Sequence, residues 1–73
     1  MVMKNMEKQF DERRMYTEAY TFISNLPVKY LEKIPKEVVE GITYKADTSY
    51  QYKLGNLLPE TKNLIAAMIY KYF

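Results

Sequence analysis

Apolar side chains recur every three or four residues along much of this chain, which is the spacing of amphipathic helices. The first such stretch predicts a helix from about Asp11 to Asn25. Its apolar positions are Tyr16, Ala19, Tyr20, Ile23 and Leu26, with Met15 and Phe22 widening the stripe. Thr17, Glu18 and Ser24 fall outside this stripe, so we expect them to face solvent.

Three prolines divide the rest of the sequence, and each directly follows a large aliphatic residue: Leu26-Pro27, Ile34-Pro35 and Leu58-Pro59. The fixed φ angle of proline suits the first turn of a helix, and the residue before it is pushed away from helical geometry. Each proline therefore predicts a helix start. The expected elements are one or two turns over residues 28–33, a helix from Pro35, and a helix from Pro59 to about Tyr72.

The helix that begins at Pro35 has an apolar side formed by Ile34, Val38, Val39 and Ile42. Glu37 lies in its first turn, where a negative charge is favourable near the positive end of the helix dipole. Two ends are compatible with the pattern. Either Gly41 marks the exit from helical geometry, or the helix continues for another turn through Ile42 and Tyr44.

The helix predicted after Pro59 is the most hydrophobic element, and we expect it to lie at the centre of the core. Its apolar stripe comprises Leu64, Ile65, Met68, Ile69 and Tyr72. Ala66 and Ala67, within the same helix, are small enough to let a neighbouring helix approach closely.

Residues 42–54 break the helical pattern, because apolar and polar side chains alternate near the end of this stretch. The apolar members there are Tyr50, Tyr52 and Leu54. One interpretation is a small hairpin that turns at residues 47–49, since Tyr and Thr are common in strands. The other keeps a helix to about Ala46 and makes residues 50–54 an extended arm. The second is favoured, because the turn lacks the Asn-Gly or Asp-Gly pair of tight hairpins.

These elements predict one small domain over residues 1–73, a mainly α, compact bundle of three to four helices with a short extended or hairpin segment around residues 44–54. A chain of this size buries about 60% of the surface of its unfolded form, so its stability should be modest or assisted by association. Residues 1–12 are expected to fray as an N-terminal leader or to form a loosely docked first turn. A competing hypothesis is an adaptable N-terminal binding helix built from Met1, Met3, Met6, Met15 and Phe10.

The sequence contains no cysteine and no histidine, which excludes disulfides, thiolate nucleophiles, conventional zinc sites and imidazole acid–base catalysis. The carboxylates show no metal-loop spacing, and the two glycines form no phosphate-binding loop. We therefore expect no catalytic residue, no metal and no cofactor, and no enzymatic activity. The absence of cysteine, of a signal-peptide core and of a membrane-spanning apolar run predicts a cytoplasmic location and no membrane partner.

Three of the eight tyrosines are followed by lysine, and these pairs are the candidate partner-binding residues: Tyr44-Lys45, Tyr52-Lys53 and Tyr70-Lys71. The plainest explanation is that tyrosine supplies area to a small core while its hydroxyl reaches water. The second explanation, in order of preference, is a protein-binding patch of exposed tyrosines. Stacking on nucleic-acid bases, with lysine on phosphate, is third, because a net charge of +2 offers little of the phosphate neutralisation on which such affinity depends.

Six short segments of the chain carry a resemblance: Glu18-Ala19-Tyr20, Leu26-Pro27, Tyr30, Lys33-Ile34-Pro35-Lys36-Glu37-Val38, Tyr50-Gln51-Tyr52-Lys53 and Thr61-Lys62-Asn63-Leu64-Ile65-Ala66-Ala67. In these segments the chain resembles a group of short uncharacterised proteins of Gram-positive bacteria. The resemblance covers roughly residues 15 to 72 and implies a small, mainly helical protein of bacterial or mobile-element origin. It supplies no activity. The relatives have a longer acidic linker before the last helix, where this chain has Leu54-Gly55-Asn56-Leu57.

The sequence as a whole predicts a small non-enzymatic protein–protein interaction module, a regulator, inhibitor or assembly subunit that acts through a helix face with exposed tyrosines and aliphatic residues. The expected partner is another protein, and a second copy of the chain, giving a homodimer, is one candidate. The alternative is a nucleic-acid-binding module that uses Lys45, Lys53 and Lys71 with their adjacent tyrosines.

Overall fold

The computed structural model of the chain describes residues 11–73, which form four α-helices and contain no β-strand. The helices are α1 (Glu12–Ser24), α2 (Val28–Leu31), α3 (Lys36–Lys45) and α4 (Pro59–Tyr72), with a 3₁₀ turn at Leu54–Asn56 between α3 and α4. The predicted mainly α bundle is confirmed. Most of the methionine-rich binding helix and of the predicted leader falls on residues 1–10, outside the described residues, whereas Met15 lies in α1.

The ends of α1 agree with the predicted helix to within one residue. The Asp11 carboxylate accepts a hydrogen bond from the backbone N–H of Arg14 at 3.1 Å, as expected of an aspartate N-cap. Asn25 is the C-cap, and its backbone N–H donates to the carbonyls of the last turn. Asp11 is therefore the cap of α1 and Glu12 lies in its first turn.

All three prolines stand at helix starts, as predicted. Pro59 is the first residue of α4, whereas Pro27 and Pro35 each precede the first helical residue as the N-cap. The carbonyl oxygens of Pro27 and Pro35 accept the first backbone hydrogen bonds of α2 and α3. Proline suits these places because no helical hydrogen bond needs its missing N–H there.

The α3 helix continues past Gly41 for a further turn and ends at Lys45, so Gly41 does not mark its exit. Glycine costs about 1 kcal/mol relative to alanine inside a helix. Burial of the next residue, Ile42, in the core offsets this cost. Ala46 then adopts extended backbone angles and ends the helix. The interpretation with a helix to about Ala46 is confirmed, and the hairpin is wrong, because residues 11–73 contain no β-strand. The arm predicted over residues 50–54 is shorter in the structure, where residues 50–53 have no regular structure and Leu54 begins the 3₁₀ turn.

The apolar core is small and is centred on α1. Its buried residues are Ala19, Ile23, Ile42, Ile65 and Met68. Because α1 packs against both α3 and α4, α1 is the central element, and the expectation that α4 occupies the centre is wrong. None of the helices in residues 11–73 combines the length and apolar character that crossing a membrane requires.

Candidate interaction surface

One side of α1 that the pattern assigned to solvent is buried. Thr17, Glu18 and Thr21 expose 1%, 0% and 2% of their surfaces, so the predicted exposure of Thr17 and Glu18 is wrong, whereas Ser24 is exposed as expected. We refer to Arg14, Thr17, Glu18 and Thr21 as the α1 polar side. It lies against the segment that connects α3 to α4 and is joined to that segment by hydrogen bonds.

The Glu18 carboxylate binds the start of α4. One oxygen, Oε1, accepts hydrogen bonds from the Thr61 hydroxyl at 2.6 Å and from the Leu58 backbone N–H at 2.9 Å. Burial by itself would raise the pKa of this carboxyl, but the hydrogen bonds from Thr61, Leu58 and Arg14 outweigh it and hold the pKa below its ordinary value. The ionised carboxylate also faces the positive end of the α4 dipole.

Arg14 completes the contact from the solvent side. Its Nε donates to Glu18 Oε2 at 2.7 Å, and one terminal nitrogen donates to the backbone carbonyl of Asn56 at 3.3 Å. The guanidinium also lies over the Tyr52 ring, 5.0 Å from its centroid. Burial raises the pKa of the Tyr52 hydroxyl. Arg14 therefore links α1 to two points of the connecting segment.

The two threonines of the α1 polar side fix the rest of that segment. The Thr17 hydroxyl donates to the Arg13 carbonyl and accepts from the Asp47 backbone N–H, both at 2.8 Å. Thr21 repeats the arrangement one turn later, where its hydroxyl accepts from the Tyr52 backbone N–H at 3.4 Å. Backbone donors that have no partner in a helix or sheet are thereby satisfied.

This anchoring leaves one side of α4 open. Ile65 and Met68 pack into the core, while residues on the other side of the helix are exposed to solvent. The exposed fraction of the surface is 41% for Ile69, 93% for Tyr70 and 44% for Phe73. Ala66 and Ala67 are exposed as well. Since residues three and four apart share one side of a helix, these five residues form a continuous strip. We call Ala66, Ala67, Ile69, Tyr70 and Phe73 the α4 outer face.

An apolar groove runs beside the α4 outer face, between α1, the 3₁₀ turn and α4. It has a volume of about 370 Å³ and is lined by Phe22, Leu54, Leu57, Lys62, Ile65, Ala66 and Ile69. At the other end of the helix, Tyr30 of α2 stacks on Phe73 with ring centroids 5.7 Å apart. The open apolar surface thus extends from Leu54 to Tyr30.

The six residues predicted to bind a partner lie on three separate elements. Tyr44 and Lys45 end α3, Tyr52 and Lys53 lie on the connecting segment, and Tyr70 and Lys71 lie in the last turn of α4. The Lys45 ammonium lies 4.9 Å from the centroid of the Tyr16 ring, and the Lys71 ammonium lies 5.5 Å from that of Tyr72. Of the six, Tyr70 belongs to the α4 outer face.

A second, more polar groove lies where α1 begins and α3 ends. It has a volume of about 590 Å³ and is lined by Glu12, Arg13, Tyr16, Tyr44 and Lys45. Tyr44 is 88% exposed at its edge. Two cations and two aromatic rings therefore share one open surface. No group of carboxylates within residues 11–73 is arranged to bind a metal ion.

The sequence did not indicate the exposure of Ile69. The spacing of Ile69 from Ile65 predicts a place in the buried stripe, yet 41% of its surface is exposed. The exposed alanines, which were expected to admit a neighbouring helix, gave the usable signal for this surface.

Comparisons of the chain with protein-family models, curated proteins and solved structures find no match. The resemblance to short Gram-positive proteins stays a prediction.

Proposed function

We propose that the chain is a small, non-enzymatic protein–protein interaction module, a regulator, inhibitor or assembly subunit, that binds its partner through the α4 outer face. The supporting observation is the exposure of Tyr70, Ile69 and Phe73 along one side of a helix whose other side is in the core. Single exposed apolar side chains are normal. A continuous strip along a rigid helix is typical of a surface that another molecule covers.

The size and chemistry of the strip suit a protein partner. Its exposed side chains present roughly 400 Å² of surface, a patch size that is often functional on small proteins. Tyr70 offers a ring and a hydroxyl with little side-chain entropy to lose, which is why tyrosine is enriched at interfaces. The α1 polar side holds the start of α4 by hydrogen bonds, so the surface is presented by a fixed element.

Site-specific photo-crosslinking tests the proposal. A photoreactive phenylalanine derivative replaces Tyr70 in one variant and Tyr44 in a matched control, because both tyrosines are almost fully exposed and lie on different helices. We expect irradiation in the cell of origin to give an adduct of discrete mass with the position-70 variant and none with the position-44 variant. Adding Ile69→Asp should abolish that adduct, since it places a charge on the same surface.

Two results would contradict the proposal. One is the absence of any protein adduct at position 70, and the other is an equal yield at positions 70 and 44. A second copy of the chain counts as a protein partner in this experiment, and mass spectrometry of the adduct identifies it.

Binding of single-stranded nucleic acid is the second candidate function, and the groove that combines Arg13 and Lys45 with Tyr16 and Tyr44 is the observation that favours it. It ranks second because the three tyrosine–lysine pairs lie on different elements and the net charge is +2. A binding isotherm with single-stranded oligonucleotides at low and moderate salt tests it. We expect the double variant Arg13→Glu, Lys45→Glu to lose any such binding, and no binding at low salt would remove this candidate.

A further inference from the structure

We propose that the partner on the α4 outer face is a second copy of the same chain, and that two α4 helices pack antiparallel about a two-fold axis at Ala66. This inference rests on the proposed function, because it uses the same surface. A two-fold interface requires that a surface be complementary to itself. Two features of α4 and its surroundings satisfy that requirement.

The first feature is the small residue at the centre. Ala66 and Ala67 are exposed at the middle of α4, and alanine allows two helix axes to approach to about 8 Å. Larger side chains lie towards the ends of the surface, with Tyr70 and Phe73 on one side of Ala66 and Leu54 on the other. An axis at Ala66 therefore brings the thinnest parts of the two surfaces together.

The second feature is the match between the aromatic end and the groove. Tyr70 lies four residues after Ala66 and Lys62 four residues before it, about 6 Å along the helix in each direction. An antiparallel pair thus brings the aromatic half of one helix, Tyr70 and Phe73, level with Lys62 and the apolar groove of the other. Lys62 meets an aromatic ring and no like charge, which is a favourable pairing for an ammonium group.

The area sets the expected strength. The α4 outer face together with Leu54, Lys62 and Tyr30 offers roughly 600 Å² per copy, so the dimer buries about 1,200 Å², the lower end for specific interfaces. We expect a dissociation constant on the order of 100 μM. The wild-type chain should sediment as a monomer at about 5 μM and increasingly as a dimer towards about 500 μM.

Cysteine cross-linking tests the axis, because the chain has no cysteine of its own. In Ala66→Cys the two thiols of a dimer lie at the axis, and an added oxidant joins them as a disulfide if their Cα atoms come within about 7 Å. Ser24→Cys, exposed at the end of α1, is the matched control. We expect rapid formation of a covalent dimer with Ala66→Cys and at least tenfold slower formation with Ser24→Cys.

A charge pair tests the direction of packing. Tyr70→Lys places a second ammonium group opposite Lys62 of the other copy and should weaken association about three- to tenfold, and adding Lys62→Glu should recover it, because opposite charges then face each other. Circular dichroism of each variant confirms that it is folded. A monomer at all concentrations, equal cross-linking at positions 66 and 24, or no recovery in the double variant would overturn the antiparallel dimer. If position 70 then cross-links to a different protein, the proposed function stands and the dimer alone fails.

Discussion

At the scale of single residues, Glu18 carries the most consequential contacts in the described chain. Three donors, from Thr61, Leu58 and Arg14, satisfy a carboxylate that has no exposed surface. A buried carboxylate without such donors would be strongly unfavourable. Because two of the donors belong to the start of α4, the same side chain that satisfies its own charge also fixes that helix on α1.

Glu18 should make folding stability depend on pH. Its pKa is lower in the folded chain than the ordinary value of 4.5, because hydrogen bonds to the ionised form outweigh the effect of burial. Its contribution is therefore complete above the unfolded pKa and is lost as the pH falls through the folded pKa. We expect Glu18→Gln to lower the free energy of unfolding at neutral pH by about 1–2 kcal/mol and to flatten its decline in acid. Urea unfolding between about pH 7 and pH 3 measures both effects.

Two controls accompany that measurement. Glu32→Gln removes an exposed carboxylate, so its free energy of unfolding at neutral pH should stay within about 0.5 kcal/mol of the wild-type value. Asp47→Asn removes a second carboxyl whose pKa is lowered by hydrogen bonds from Ser49. Comparing the two variants therefore separates the contribution of Asp47 to the pH dependence of stability from that of Glu18. An identical pH profile for Glu18→Gln and the wild type would contradict the assigned role.

At the scale of elements, the segment from Ala46 to Leu58 owes its position to α1. Apart from the 3₁₀ turn it has no regular structure, and the backbone N–H groups of Asp47, Tyr52 and Leu58 donate to side chains of the α1 polar side. Hydrogen bonds of this kind let an irregular segment lie against a helix without unsatisfied donors. The segment leads directly into α4, so its contacts with α1 also position the start of that helix.

A pair of threonine variants tests this dependence. Thr17→Val keeps the shape of the side chain but leaves the Asp47 N–H without its acceptor, so we expect a loss of about 1–2 kcal/mol in the free energy of unfolding. Thr43→Val is the matched control, because the Thr43 hydroxyl donates to the Val39 carbonyl within its own helix. Its loss should be about 0.5 kcal/mol or less. Equal losses in urea unfolding would show that the contact with Asp47 contributes nothing.

The positions of the helices were predictable from local signals. Asp11 at the α1 N-cap and the three prolines act through neighbouring backbone atoms, and the predicted bounds of α1 and α4 agree with the structure to within one residue. Gly41 was ambiguous because its local preference opposes the helix, whereas the burial of Ile42 favours it. A tertiary contact decided that position, and no local signal could have done so.

At the scale of the whole molecule, the chain buries few apolar side chains and leaves others open. Ile34, Ile42, Ile65 and a few neighbours fill the core, while the α4 outer face stays exposed. Small domains bury a limited fraction of their surface, and covering that face in a dimer would add stability that increases with protein concentration.

The candidate surface was partly predictable at this scale. A helix face with exposed tyrosine and aliphatic residues was expected, and Tyr70 lies on one. The grouping of the other candidates was not predictable, because Lys45 and Lys53 lie on elements whose relative positions depend on contacts with α1. Each tyrosine is next to its lysine in the sequence, but this does not show whether the three pairs lie together in the folded chain.

The sequence by itself determined where the helices begin and where α1 and α4 end, because caps, prolines and apolar spacing act over a few residues. The tertiary structure decided which side of α1 is buried. Thr17 and Glu18 resemble solvent-facing residues in any periodicity analysis, since burial of a polar side chain depends on donors supplied from far along the chain, here Asp47, Leu58 and Thr61. Those contacts orient α4, and the orientation of α4 determines which of its residues face outward.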